Sequence, residues 1–426
     1  MAFLISYITK YYSLEISMTA IAEKTEFDAT PESNPRDALW PNYNPPKELV
    51  FSHGIGSEVF DEQGNAYLDF LSGIAVTSFG HAHPHLVKAL KDQSEKLWHL
   101  SNVFRIPEGE LLAKRLVENS FADSVFFANS GTEGAEAGIK AIRGYQAVKG
   151  NTKRTRIIGL TESFHGRTLA ALAAAGNQAQ MKGFIPTDYG FDQVQWGDFE
   201  ALKNAVTDET AGIVFETVQG EGGIRPITQE FVNQVRKLCD ELDLVLMFDE
   251  VQCGIGRSGK LFAYEHYNVT PDVMVLAKGL GGGFPIGACL TTAKVGNSMV
   301  FGSHGSTFGG NPLAMAVGNA VMDLLLEPNL LSEVSRKGEF LQSELKRLTE
   351  EFPDIVESVH GLGLMIGLKC VVPNTDVLVE LREHHMIVGK SGSNMIRLLP
   401  PLNMSDEDIA KGVKIMTSVL QELRAK

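Results

Sequence analysis

The sequence predicts an α/β fold, with a large domain on a mostly parallel sheet and a smaller α+β domain. Three observations carry this. Strand-length apolar runs alternate with helical periodicity from residue 124 to residue 292. Such alternation is the pattern of a parallel sheet covered by helices. After Pro312 the pattern changes to long helical runs followed by short strands.

Taken in order, residues 35–75 hold short strand signals, 48–51, 58–60 and 66–70, around the turn Asp61-Glu-Gln-Gly-Asn65, which reads as a small antiparallel hairpin. Amphipathic helices are predicted over 85–98 and 109–119. Strands follow at 124–128, 156–160, 212–216, 242–249, 272–277 and 286–292, with a helix over 229–242. Helices are then predicted over 313–326 and 331–352, strands at 355–360, 363–368 and 394–398, and a last helix from Ser405. The expected division is a tail over 1–34, a first small-domain segment over 35–75, a large domain over 76–325 and the rest of the small domain over 326–426. Residues 1–17 are apolar and aromatic without a small-residue cleavage site, a poor signal peptide, so Met18 is expected to be the native start.

Composition narrows the function. The chain has 426 residues, a formal charge of −14, 44% hydrophobic and 21% charged residues. The length supports a large core. The negative balance argues against nucleic acid and anionic membranes as main partners, and no apolar run approaches the roughly 18 residues of a membrane span. Cys239, Cys253, Cys289 and Cys370 are scattered without a CxxC pair, which fits free thiols in a reducing cytoplasm. His81 and His83 alone, before a helix, are too few ligands for a metal site, and none is expected.

The chemistry lies at the predicted strand ends, where functional groups of such folds gather. Lys278 closes an apolar run and opens Gly-Leu-Gly-Gly-Gly. Apolar walls disfavour its ammonium form, and a neutral lysine can form a Schiff base with a carbonyl cofactor. A lysine pointing to solvent is the plainer reading. Ser130-Gly-Thr132 joins a strand to a helix and reads either as a phosphate cradle or as an ordinary helix cap. In Phe164-His-Gly-Arg167 the aromatic can stack on a flat ring or serve the core, and the arginine can grip a carboxylate. Asp249 ends a buried strand and needs a partner, which a protonated pyridine nitrogen would supply. Glycines flank Glu221, a hydroxyl- and glycine-rich turn holds Thr307, and Arg397 sits in an apolar setting that would equally suit a structural ion pair. Together these groups match pyridoxal phosphate chemistry. Residues 254–260 contain GxGxxG and nearly a P-loop, but Leu261 stands where a hydroxyl would bind magnesium, so a tight turn is expected there rather than a nucleotide site.

With these residues in view, the chain resembles the class III pyridoxal-phosphate aminotransferases. The stretches SGIAV, GHAHP, NSGTE, SFHGRT, QGEGG, FDEVQ, LAKGLGGGFPIGA, GSTFGGNP and RLLPP occur in family order between about Pro41 and Pro401. The resemblance implies a fold type I transferase, pyridoxal 5′-phosphate as cofactor and a homodimer with shared active sites. It implies that Lys278 carries the cofactor and shuttles a proton, that Asp249 partners the pyridinium, that Gln252 lies near the phenolic oxygen and that Phe164 stacks on the ring. Ser130, Gly131, Thr132 and His165 join the cofactor-binding set, with Thr307 reaching the phosphate from the other subunit. Tyr43, Arg167, Glu221 and Arg397 become substrate residues, Arg397 for the α-carboxylate of glutamate and Glu221 as the switch that masks it. The FHGRT, GKLFAYEHY and HGSTFGGNP stretches are most similar to the acetylornithine type, which implies N2-acetylornithine as donor and 2-oxoglutarate as acceptor in arginine biosynthesis. Ornithine, succinylornithine and 4-aminobutyrate are the alternative donors. A non-catalytic protein that binds pyridoxal phosphate, or a nucleotide-binding protein, is the alternative of another class. Two departures from the family pattern stand out. Gly134 follows NSGTE where a side chain is usual, which would loosen the helix, and Cys253 replaces the usual threonine after DEVQ.

Overall fold

A computed structural model describes residues 38–185 and 189–426. The proposed tail over 1–34 and the question of Met18 lie outside the described residues. Residues up to Val50 form one unit and Phe51–Lys426 another.

In the larger unit the strands are β1 (Phe51–Ile55), β2 (Glu58–Asp61), β3 (Ala66–Asp69), β4 (Ser124–Ala128), β5 (Arg156–Leu160), β6 (Phe191–Val194), β7 (Thr210–Glu216), β8 (Val218–Gln219), β9 (Arg225–Pro226), β10 (Val245–Asp249), β11 (Val273–Leu276), β12 (Gly287–Thr291), β13 (Val356–Leu362), β14 (Met365–Cys370), β15 (Met386–Ile387), β16 (Gly389–Ser391) and β17 (Met395–Leu398). The central sheet has seven strands in the order β4-β12-β11-β10-β7-β5-β6. Only β12 is antiparallel to its neighbours; the other pairs run parallel. The carboxyl ends of β4, β5, β7, β10 and β11 therefore share one edge, and the start of reversed β12 reaches it too. Strands β7, β10, β11 and β12 are buried along their whole length, as covered parallel strands are.

The helix Gly131–Val148 shows how closely that cover fits. A Cβ at Gly134 would come 2.7 Å from Val275 Cγ1, and one at Gly138 would come 2.6 Å from Met247 Sδ. Gly134 therefore lets the helix seat against the sheet, and the expected loosening is not what the packing shows. The predicted strand start at 242 is also corrected. Leu242 ends the helix Gln229–Leu242, Asp243 caps it in the left-handed region, and β10 begins at Val245. Strand β6 and the helix Asn374–Glu383 were not expected from the sequence.

Two smaller sheets complete the unit. One joins β1-β2-β3 to β15, so residues near both ends of this unit share a sheet. The other is β13-β14-β17-β16, in which Gly367 of β14 faces Arg397 of β17. Leucines 341, 345 and 348 of the helix Leu330–Glu351 and Val413, Met416 and Leu420 of the helix Asp406–Ala425 bury one apolar cluster with Leu68, Phe70, Ile366 and Ile396.

Candidate active site

The shared strand edge encloses a cavity of about 380 Å³. Its wall includes Ser130, Gly131, Thr132, Phe164, His165, Arg167, Asp249, Gln252 and Lys278, nine of the residues singled out from the sequence.

Lys278 follows β11 in a backbone conformation with φ 43°. For a residue with a Cβ that region is strained, and the turn aims the side chain back into the cavity wall. Burial lowers its pKa, and the Arg397 guanidinium adds to this, against the pull of Asp249, Glu221 and Glu216. Among the described residues its amine has no hydrogen-bond partner.

Asp249 ends β10 with 3% of its surface exposed. Its Oδ2 lies 2.7 Å from His165 Nδ1, and its Oδ1 accepts the Val251 N–H at 3.0 Å. Burial opposes charge on His165, but the hydrogen bond and charge of Asp249, with Glu216 behind them, raise its pKa. The other ring nitrogen of His165 is buried without a partner.

Ser130 caps the helix Gly131–Val148 by accepting the Glu133 N–H at 3.3 Å. Helix geometry leaves the N–H groups of Gly131 and Thr132 without intrahelical acceptors, and both residues line the cavity. A Cβ at Gly131 would lie 2.8 Å from Val251 Cγ1, so only glycine lets the helix start this close to the cavity floor. Phe164 is half-buried, with the exposed Arg167 guanidinium 5.3 Å from its ring centroid.

Glu221 sits in the turn between β8 and β9, and its carboxylate pairs with Arg397. Arg397 is buried, while the Glu221 side chain is 39% exposed. The same guanidinium reaches Gln252 Oε1 at 3.4 Å, which joins this pair to the cavity wall. Thr307 is not in this wall. It lines a neighbouring cavity of about 390 Å³ with Asn129, Glu133, Glu136 and Phe308. Tyr43 belongs to the separate unit ending at Val50, with its ring largely exposed.

Sequence reading passed over Glu216, although an acid closing the apolar run of β7 is the same signal as Asp249 closing β10. Its oxygens accept the N–H groups of Gly220 at 3.1 Å and Phe164 at 3.2 Å. Burial pushes its pKa up to about 7, with the Asp249 charge adding and His165 opposing. Val76 and Val251, also in the wall, carried no signal beyond their apolar character. Of the other singled-out groups, His81 is bound to Asp69 at 2.7 Å. Cys253 is buried with its Sγ 3.4 Å from Thr217 Oγ1, facing the core. All four cysteines are unpaired and buried.

The profile of the Aminotransferase class-III family matches residues 41–420. The chain belongs to the class III aminotransferases. It is 53% identical to an acetylornithine aminotransferase of Mesorhizobium japonicum over 361 residues, 85% of this chain and 90% of that protein. It is 50% identical to the one from Brucella melitensis over 385 residues, 90% of this chain and 95% of that protein. Among solved structures, the ornithine aminotransferase of Toxoplasma gondii has a TM-score of 0.87 at 29% identity, covering 92% of this chain and 94% of that one. The N-acetylornithine aminotransferase of Stenotrophomonas maltophilia has a TM-score of 0.78 at 35% identity, covering 89% and 97%. The fold is thus the α/β fold of the pyridoxal-phosphate aminotransferases, and class III membership makes the protein a pyridoxal 5′-phosphate enzyme. The cavity fits that cofactor. It offers paired helix N–H groups for a phosphate, a buried carboxylate for a ring nitrogen, an aromatic and a valine for a flat ring, and a desolvated lysine for a carbonyl carbon.

Proposed function

We propose that this aminotransferase moves the ω-amino group of N2-acetylornithine to 2-oxoglutarate, giving N-acetylglutamate 5-semialdehyde and glutamate, a step of arginine biosynthesis. The observation that carries the choice of donor is the identity of 50–53% to acetylornithine aminotransferases over 85–90% of the chain. Ornithine is the second reading, because the Toxoplasma neighbour that acts on it aligns with the higher TM-score, 0.87.

Bound pyridoxal phosphate supplies an electron sink that acidifies the carbon bearing the amine. The chain supplies everything else. Ser130, Gly131 and Thr132 would hold the phosphate, and Phe164 would stack on the ring. Asp249 would keep a proton on the ring nitrogen, and His165, 2.7 Å from its Oδ2, holds the carboxylate in place. Gln252, in the same wall, would serve the phenolic oxygen. Lys278 Nζ, whose ammonium form burial disfavours, takes the proton of the substrate carbon and returns it. Arg167 grips a substrate carboxylate. Arg397 receives the α-carboxylate of glutamate or 2-oxoglutarate once Glu221 turns away, and stays masked when the ω-amine donor is bound.

The active unit is a homodimer in the cytoplasm. Trp98, Val103, Phe104, Phe301 and Phe308 are exposed apolar residues on the 97–104 and 300–308 segments, an uncovered patch of the kind that marks an interface. Asn102 ties these segments together by donating to the Ser306 carbonyl at 3.3 Å and to that of the adjoining Gly309 at 2.8 Å. Thr307, outside its own chain's main cavity, would serve the neighbour's phosphate. None of the described helices is long and apolar enough to cross a membrane, and unpaired cysteines suit a reducing compartment.

The test is glutamate formation from 2-oxoglutarate with N2-acetylornithine, ornithine and 4-aminobutyrate in parallel. The highest kcat/KM is expected with N2-acetylornithine; a higher value with either other amine overturns the donor. Lys278→Ala is expected to abolish turnover with all three, and retained turnover overturns the role of the lysine.

A further inference from the structure

The glycine-rich stretch 254–260 is a motif of the sequence that the proposed mechanism leaves unused. It begins two residues after Gln252 and turns sharply at Gly256 (φ 82°) and Gly259 (φ 88°). Between these glycines stands Arg257, 1% exposed and the largest fully buried side chain among the described residues. Among the described residues no carboxylate offsets its charge, and burial pushes its pKa down to about 9, which leaves it charged at neutral pH. Its Nη1 donates to the carbonyls of Leu364, at 3.1 Å, and Pro400. The Leu364 N–H returns a bond to the Arg257 carbonyl at 3.0 Å.

Both acceptors border the strand pair that carries Arg397. Leu364 immediately precedes β14, whose Gly367 faces Arg397, and Pro400 lies three residues beyond Arg397 on the chain leaving β17. Pro400 and Pro401 have no N–H groups, so this stretch cannot tether itself through its own donors. Leu399 and Leu402 on either side are tied to Phe70 and Ser78, and the carbonyl between them is held by Arg257. The loop that presents Gln252 is thereby fastened to the segment that presents Arg397, and Gln252 Oε1 meets Arg397 at 3.4 Å.

We infer that Arg257 is a positioning residue for 2-oxoglutarate and glutamate: it fixes Arg397 against Gln252 and Glu221, and so acts on the half-reaction in which Arg397 is unmasked. This rests on the proposed role of Arg397. Lysine cannot replace it, because its amine ends short of the position of Nη1 and an ammonium in this apolar setting is driven toward its neutral form.

The experiment measures kcat/KM separately for 2-oxoglutarate and for N2-acetylornithine in the holoenzyme of Arg257→Lys, with Arg397→Lys alongside. In ping-pong kinetics each value reports its own half-reaction. Arg257→Lys is expected to lower kcat/KM for 2-oxoglutarate on the order of tenfold, the size of effect that a displaced binding group produces, and to leave the donor value within about twofold. Equal loss in both half-reactions, or loss in neither, overturns the inference. If Arg397→Lys itself leaves 2-oxoglutarate unaffected, the role of Arg397 fails first. If it weakens 2-oxoglutarate and Arg257→Lys does not, only the inference fails. Should Arg257→Lys not fold, Arg257→Met removes the donor and the buried charge together, a replacement that cores often tolerate, and is put to the same comparison. Failure of both variants to fold assigns Arg257 to the fold alone and overturns the inference.

Discussion

Two ion pairs border the cavity, and they are built differently. The His165–Asp249 pair is closed: its side chains are 1% and 3% exposed, and Asp249 is held further by the Val251 N–H. In the Arg397–Glu221 pair the arginine is 4% exposed but the glutamate 39%. The backbone around Glu221 is nevertheless fixed. Ser391 Oγ donates to the Gly220 carbonyl at 2.6 Å, and Gly392 N–H to the Glu221 carbonyl at 2.8 Å. Only the side chain of Glu221 has somewhere to go. A carboxylate that keeps contact with water loses little on leaving its partner, whereas one sealed in the core leaves an uncompensated charge behind. The first pair suits a cofactor contact that persists through both half-reactions, and the second suits a contact made in one and broken in the other.

Breaking the closed pair has the largest expected effect. Asp249→Asn removes the charge proposed to hold a proton on the cofactor ring. We expect kcat/KM to fall about 10³-fold with every donor, the rate equivalent of the roughly 4 kcal/mol that breaking a buried pair costs. A loss below about tenfold would place Asp249 among ordinary structural acids.

Next comes Glu216, the carboxyl behind the closed pair. Its pKa, about 7, lies above the ordinary 4.5 because of burial first and the Asp249 charge second. Between these values the unfolded chain gives up the proton while the folded chain keeps it, so stability falls as pH rises from about 4.5 to 7. The span corresponds to up to about 3 kcal/mol. Thermal melts of the cofactor-free protein and of Glu216→Gln over pH 5–8 should diverge in slope, the variant lacking this fall. Parallel curves would show that the neighbouring N–H groups and His165 keep Glu216 charged throughout.

The closed pair and the open pair were not equally legible in the sequence. Asp249 could be read because an acid ending the apolar run Val-Leu-Met-Phe is costly unless it has a partner. Glu216, closing the buried run of β7, sends the same signal. The partnership of Arg397 with Glu221 spans 176 positions, and no local pattern encodes it; it came from the family resemblance. The central strands were legible because fully buried runs need no periodicity to stand out. Strand β6 was not, since Phe191-Asp-Gln-Val194 at the sheet edge is only partly buried and reads as polar loop. Arg257 was hidden by the glycines around it, which matched a nucleotide fingerprint in spacing while serving tight turns.

The smallest of these effects would sharpen the comparison most. Glu221→Ala removes the carboxylate that pairs with Arg397 without touching the closed pair. With one half-open partner, the contact should be worth about 1.4 kcal/mol, between the exposed and buried extremes, or about tenfold in relative kcat/KM. Preference should move toward glutamate and away from the ω-amine donor, while the loss of activity common to all donors stays small. Glu221→Gln serves as the control: it keeps the size and a hydrogen-bonding oxygen but lacks the charge, so an intermediate shift is expected. A uniform drop with every donor would mean that Glu221 supports the site in the manner of Asp249, and that its exposed side chain does not mark a moving part.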